Sequence, residues 1–454
     1  MLINFSVANY TSFNEEVTLN MIPTKSRTMK GHIISDPDGK KMEVLPVACI
    51  YGANASGKSN LVKAMEFAQE LIINGTRAGK SIDFKPFLLD TTAEKSPGRF
   101  EFVFKHDGIL YTYGFVVSAN TIHEEWLFAF YSMQESKVFE RVTKDEKTTV
   151  DPGARLVEDV KGKRFIEFVA QGTRPNQLFL TEAGEKNIEL LKPVLHWFSE
   201  HLTIVSPYSS YNALTLRAHK DSNFLTFLST YLQTAGTGIT DIHTQKERFD
   251  SDKHLEDLPK ELRKRVIDII TNDKFENEQM YLTAPGKSVA ICTDEENGNK
   301  VINYVTLKTD HINTDGARVS FDTQLESDGT RRLMHLVPLL LDIWEGDGVY
   351  VIDEIERSLH PHLSRLFLET CIEGIINKRA KGQLILTTHD TNLLDRELLR
   401  RDEVWFMEKD QGGASHMTSL AEYKVSDGLN YENGYLNGRF GGIPYIGDVK
   451  KLMK

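Results

Sequence analysis

Cysteine is scarce: Cys49, Cys292 and Cys371 are the three in 454 residues, with no C-x-x-C pair and no nearby histidine pair. That spacing indicates neither a disulfide framework nor a zinc site, and it suits a reducing cytoplasm. Positive charge is short too, since 54 Lys and Arg face 65 Asp and Glu for a net charge of −11. Such a balance argues against a surface that is a nucleic-acid platform throughout, leaving room only for a local basic groove. The densest basic cluster, residues 260–265 (KELRKR), reads as a solvated helix face. Long apolar runs are missing. The most apolar helical stretch, 335–344, is interrupted by Asp342, and the opening MLINF lacks the basic start and apolar core of a leader, so no membrane segment is expected. Internal repeats, low-complexity segments and sustained heptads are absent. What remains is ordinary globular material, 40% hydrophobic and 26% charged, in a chain longer than one usual core. One large domain with an insertion, or two domains, is the expectation.

The chain is organised around residues 44–71. A β-branched apolar run to Tyr51 leads into Gly52-Ala53-Asn54-Ala55-Ser56-Gly57-Lys58-Ser59-Asn60 and then an apolar pattern of helical period, the strand, loop and helix of a P-loop. Gly52 and Gly57 let the backbone turn tightly and aim its N–H groups at phosphate oxygens, while the helix beginning at Lys58 points its positive dipole end at the same anion. Lys58 reaches the β- and γ-phosphates. Ser59 supplies the hydroxyl oxygen that a hard cation such as Mg²⁺ prefers.

Residues 2–7 read as an edge strand with 17–21 as its hairpin partner. After the P-loop helix the text turns antiparallel: FKPFLLD (84–90), a Pro97-Gly98 turn, then two alternating runs joined at Asp107-Gly108, with further strands at 126–131 and 137–142. From 177 to about 272 the pattern is mostly helical, at 186–198, 224–233 and 258–270, and strands return at 288–292 and 302–308 around a turn at 295–299. The last third alternates helix and strand: helix 330–344, buried strand 348–352 ending in Asp353-Glu354, helix 362–377, strand 383–387 ending at Thr388-His389-Asp390, and strand 403–407. That is a parallel sheet with crossover helices, whose sites lie beyond the carboxyl ends of the strands. The expected fold is α/β: an ATPase lobe at 1–198 with the P-loop and an antiparallel β subdomain, a mainly helical insertion lobe at 199–309, and a C-terminal ATPase lobe at 310–454.

Lys58, Asp353, Glu354 and His389 fall on that edge. Asp353 is placed for a second Mg²⁺ contact opposite Ser59, and Glu354, one residue on, can orient or deprotonate the water attacking a γ-phosphate. Two adjacent carboxylates at a buried strand end are costly without a cation or donors. His389 is placed to hydrogen-bond the γ-phosphate. Ser327 and Gly329, in LESDGT before the next helix, make a further anion site of the helix-start kind.

The order GANASGKS, ESDGT, VYVIDE, SLHP and TTHD resembles ABC-type ATPases. By that resemblance Ser327 and Gly329 would complete the nucleotide site of the opposite subunit, and Ser358-Leu359-His360-Pro361 would be the D-loop. The separation of Lys58 from Asp353 is similar to the RecF, SMC and OLD-like branch with its inserted lobe. Within it the chain looks like stand-alone bacterial ATPases of anti-phage defence, of the RloA, AbiL and PARIS AriA kind, through NFSVANYTSF before the P-loop, the PFLLD segment, and the tail YLNGRFGGIP at 435–444. Asp328 departs from the usual second signature residue. Gln171 and Gln177 are both candidates for the Q-loop glutamine. The resemblance implies ATP and Mg²⁺ as cofactors, a homodimer or higher homo-oligomer closing over ATP, and a separate Toprim-type, RloB-like nuclease effector responding to a phage protein or DNA. No Toprim carboxylate pattern occurs in the chain itself, and Asp250-Ser251-Asp252 reads as a polar loop. A RecF- or SMC-like DNA-clamping repair ATPase is the alternative, and a transporter ATPase subunit a third reading.

Overall fold

Phe100, Phe102 and Phe104 alternate with less buried residues, and Tyr111, Tyr113 and Phe115 do the same beyond Asp107-Gly108. Both segments therefore carry one apolar face and pair as a hairpin, turned by Asp107 and Gly108 at φ of 47° and 76°. The computed structural model describes residues 1–26, 29–35, 42–132, 134–160, 162–271, 279–284, 287–296, 299–424, 428 and 430–443. Expectations at Asn297, Gly298 and Pro444 lie outside those residues.

In chain order, β1 (Leu2–Ala8), β2 (Val17–Asn20) and the short pair β3 (Ile34–Ser35) and β4 (Glu43–Val44) precede β5 (Val47–Tyr51) and α1 (Lys58–Asn74). The antiparallel run β6 (Gly98–His106), β7 (Ile109–Val117), β8 (Ile122–Phe130), β9 (Ser136–Lys144) and β10 (Lys147–Pro152) follows. Then come α2 (Ala154–Asp159), α3 (Lys163–Gly172), α4 (Phe179–Glu185), α5 (Lys192–His196), a π-helical turn (Trp197–His201) and β11 (Leu202–Val205). The middle of the chain holds α6 (Leu214–Lys220), α7 (Ser222–Thr234), β12 (Asp241–Arg248), α8 (Ser251–His254), α9 (Lys260–Ile270), β13 (Gln279–Ala284), β14 (Lys287–Glu296), β15 (Asn299–Ile312) and β16 (Arg318–Asp322). The end is α10 (Asp328–Glu345), β17 (Val349–Ile352), α11 (Pro361–Lys378), β18 (Gln383–Thr388), β19 (Val404–Lys409), β20 (Ser415–Ser419) and α12 (Tyr431–Leu436).

These divide into two compact units: 1–208 with 342–356 and 367–454, and 209–341 with 357–366. The first holds two sheets. One is antiparallel, ordered β10-β9-β8-β7-β6-β1-β2, and the other, ordered β11-β17-β18-β5-β19-β20, is parallel except for β20. The sheets are stitched by the fully buried Gln383, which accepts from Leu2 N at 2.6 Å and donates to Leu2 O and Leu45 O, both at 3.0 Å. Inward aromatics fill the space between strands and helices, with Trp197 stacked on Phe104 at 4.0 Å. Glu125 is buried beneath the start of α4, accepting from Phe179 N (2.6 Å), Leu180 N (2.9 Å) and Tyr113 Oη (3.0 Å), with Arg141 3.7 Å away. Burial pushes its carboxyl upward although Arg141 and the two amides oppose this.

The second unit contains an antiparallel sheet, β12-β15-β14-β13 with β16 on β15. Its core sets Leu255, Val266 and Ile270 against Val289, Ile291 and Tyr304.

Several expectations are corrected. Strand 2–7 is not at an edge, because β1 pairs with both β2 and β6 and the edge falls to β2. The helix expected over 186–198 is broken, with Asn187 at φ 55° and Pro193 opening α5 afresh. Ahead of the antiparallel strands, FKPFLLD is loop and leaves Leu88 and Leu89 exposed. Residues 199–309, expected to be mainly helical, carry β11 to β14 and most of β15; strands such as DIHTQKER are too polar to announce themselves by period. Asp250 is a helix cap, accepting from Asp252 N and Lys253 N at the start of α8. Residues 260–265 open α9, and Lys264 and Arg265 are exposed, a solvated face.

Candidate nucleotide site

Every residue of β5 is buried, so the chain leaves the sheet only after Tyr51 and must turn at once into α1. The turn requires left-handed backbone at Ala55 (φ 64°) and Gly57 (φ 116°). A side chain on Gly52 would meet Met407 O and Ser56 Oγ at 2.5 Å, and one on Gly57 would strike Ser415 Oγ. Ser56 N closes the turn on Ala53 O at 3.1 Å. Beneath it, Ser415 Oγ hydrogen-bonds Ser56 O (2.7 Å) and Ser12 Oγ (2.8 Å), and Asn60 Nδ2 donates to Ser12 Oγ at 2.8 Å. The loop is thus braced from β20 and from the segment between β1 and β2. Asn54 and Ala55 stand exposed above it.

Lys58 is 7% exposed and gives two of its three donors to Gly52 O (2.7 Å) and Ala53 O (3.1 Å). Burial lowers its pKa, against the opposing pull of Glu356, Asp353 and Glu354. A buried ammonium among carboxylates and loop amides is a cation held for an anionic ligand. Ser56 Oγ is buried without a hydrogen-bond partner, a further donor in the loop.

The carboxylates arrive from β17, next to β18, which itself lies beside β5. Ser59 Oγ is 3.1 Å from Asp353 Oδ1. Thr387, at the end of β18, donates to the same Asp353 oxygen at 2.6 Å and accepts from Glu354 N at 2.9 Å. Glu354 has φ 49°, in the left-handed region of the backbone map. Glu356 is the hub of the next layer: its carboxylate takes Thr388 Oγ1 at 2.8 Å, His389 N at 3.1 Å and His389 Nδ1 at 2.5 Å. The His389 ring is 59% exposed on its other side, so it is positioned by Glu356 and open to solvent.

A family model described as "AAA domain, putative AbiEii toxin, Type IV TA system" matches residues 47–395, from the P-loop strand past His389. The chain belongs to this AAA family. Solved structures similar to it include an SMC head bound to the C-winged helix domain of ScpA, at 13% identity and TM-score 0.37 over 92% of this chain and 97% of that one. Another is the recombination mediator RecF with ATPrS, at 13% identity and TM-score 0.28 over 92% and 98%.

In this AAA ATPase the residues present fit ATP and a hard divalent cation: loop amides, Ser56 and Lys58 for phosphates, Ser59 and Asp353 as oxygen ligands. No helix among the described residues is long and apolar enough to cross a membrane. The carboxyl edge of the parallel sheet brings together Lys58, Ser59, Asp353, Glu354 and His389.

Gln177 is a structural residue of this AAA domain. It is buried, and its Oε1 accepts from Thr76 N at 2.7 Å; Gln171 is exposed on α3. Ser327, in the second unit, caps α10: its Oγ accepts from Thr330 N at 3.2 Å and lies 2.9 Å from Thr330 Oγ1. A Cβ on Gly329 would sit 2.7 Å from Ser358 O, so the ESDGT segment and the SLHP loop are in backbone contact. Glu326 is tied to Thr309 at 2.6 Å and His311 at 2.8 Å.

Thr387, Glu356, Ser12 and Ser415 are the residues that sequence reasoning passed over. The first threonine of TTHD could have been found from its place before His389, and Ser12 from its place in NYTSF; a lone serine on β20 carries no signal. The tail also reaches the site. Gly442 N donates to Glu408 at 3.2 Å, Tyr435 Oη donates to Gly442 O at 2.9 Å, and a Cβ on Gly442 would lie 3.7 Å from Gly52 Cα.

Proposed function

We propose that this chain is the Mg²⁺-dependent ATP-hydrolysing subunit of a bacterial anti-phage, abortive-infection system, working in the cytoplasm and controlling a separate Toprim-type nuclease. The observation that carries the catalytic part is the 3.1 Å approach of Ser59 Oγ to Asp353 Oδ1 with Glu354 next in the chain. Lys58 and the loop amides hold the phosphates, and Ser59 and Asp353 hold the cation. Mg²⁺, when bound, neutralises phosphate charge. Glu354 orients the attacking water and accepts its proton, and His389, aimed by Glu356, donates toward the terminal phosphate. The defence reading is supported by the description of the matched family as a putative AbiEii toxin and by the motif order running from NFSVANYTSF to the tail.

Two copies close head to tail, Ser327 and Gly329 of one facing Lys58 of the other. The exposed position of Ser327 at a helix start supports that role.

Purified chain is assayed for phosphate release with ATP, with and without Mg²⁺, alone and with the product of the adjacent gene. Mg²⁺-dependent turnover, lost in Lys58→Ala, and plaque reduction that needs both genes are the expected results. No turnover in either setting would sink the enzymatic reading. Salt-sensitive, ATP-dependent DNA binding by the chain alone, without need of a neighbour, would replace the defence reading by the DNA clamp.

A further inference from the structure

Away from the nucleotide, three imidazoles meet in the first unit. His106 closes β6, His196 ends α5, and His201 ends the π-helical turn. One ring nitrogen of each lies within 4.8 Å of those of the other two. His106 Nε2 and His196 Nδ1 are 3.3 Å apart. Two ligands of a tetrahedral ion, each at about 2.0–2.1 Å, stand roughly 3.3 Å from one another, so this pair already has ligand spacing. The ring of His201 is 4.5 Å from that of His106 and 5.1 Å from that of His196, centre to centre.

The π-turn produces the meeting. Residues five apart sit about 140° round an α-helix, on different faces. The wider i→i+5 turn brings them closer to one face, and turns of this kind recur at functional sites. Carboxylates complete the set. His201 Nδ1 pairs with Asp347 Oδ1 at 2.8 Å, which orients the ring and leaves Nε2 as the ligand atom. Asp107 Oδ2 is 3.5 Å from His106 Nε2, within reach of a fourth position.

We propose that His106, His196 and His201, with Asp107, form a site for one borderline divalent transition ion, Zn²⁺ foremost, in which Asp347 positions His201. Imidazole nitrogen selects such ions over Mg²⁺. The site is structural. Asp347 precedes β17 and Asp353 follows it, so the ion sits about 20 Å from the nucleotide carboxylates, at the opposite end of the strand. There it ties the β6–β7 turn to the start of β11, which pairs with β17.

The full chain, stripped of metal by chelation, is titrated with Zn²⁺ by calorimetry and melted with Zn²⁺, Co²⁺ or Mg²⁺. One Zn²⁺ per chain, a raised melting temperature with Zn²⁺ but not Mg²⁺, and the intense visible absorption of tetrahedral Co²⁺ are expected. His196 is exposed, so His196→Ala leaves the fold intact and removes all three signals. Asp347→Asn retains them with affinity about 10–100-fold weaker. Equal Zn²⁺ binding by wild type and His196→Ala, or no binding by wild type, overturns the proposal.

Discussion

Thr387 hands its hydroxyl proton to Asp353 and receives the Glu354 amide, so one side chain fixes both neighbouring carboxylates. Thr387→Val keeps the shape and removes both bonds. It is expected to raise the Mg²⁺ requirement, read as a shift in the Mg²⁺ concentration at half-maximal ATPase rate, while fluorescent-nucleotide binding stays near wild type. Glu354→Gln keeps the size and loses the base, so ATP binding persists while turnover falls by about 10²–10⁴-fold in a single-turnover assay. A fall in binding of the same size would assign Glu354 to ligand holding instead. Glu356→Gln tests the layer behind: it removes the charge that orients His389, and turnover is expected to fall with little change in the ATP concentration at half-saturation.

At the scale of elements, the weight rests on buried polar joints. Glu125 joins α4 to β8, and Arg141 beside it reaches the carbonyls of Arg174 (3.4 Å) and Pro175 (3.3 Å). Glu125→Ala strands a buried guanidinium and a helix start, so a loss of about 3–5 kcal/mol is expected by urea denaturation. In the second unit, His335 on α10 accepts from Tyr211 N at 3.2 Å and has its pKa lowered to about 4 by burial, with Arg332 and Arg331 adding to the effect. The folded value lies below the unfolded one of about 6.5, so protonation favours unfolding. The stabilisation is whole above pH about 6.5 and drains away as pH falls toward about 4, in total about 3 kcal/mol. Urea midpoints at pH 7.5 and 5 should differ less in His335→Gln than in wild type; equal differences would mean that another group titrates.

At the scale of the molecule, the question is association. With Glu354→Gln blocking turnover, ATP should convert monomer to dimer in sedimentation velocity. Adding Ser327→Arg should prevent this without lowering ATP affinity, since Ser327 would serve the opposite chain's nucleotide. Dimers that ignore both ATP and Ser327 would remove the head-to-tail reading.

Amino-acid order alone determined the P-loop, because strand, loop and helix are consecutive and each local preference agrees with the next. It also determined the Asp353-Glu354 strand end, the Asp107-Gly108 hairpin and the α/β alternation of the last third, all set by short-range period and turn chemistry. Tertiary structure decided what depends on residues distant in the chain: β1 as an inner strand, Gln177 as a brace, Thr387 and Glu356 as holders of the carboxylate and the histidine, and the polar sheet in the second unit. The physical reason is that hydrogen bonds between positions about thirty to a hundred residues apart leave no periodic trace. Those contacts are made by single side chains, whose partners only the fold can supply.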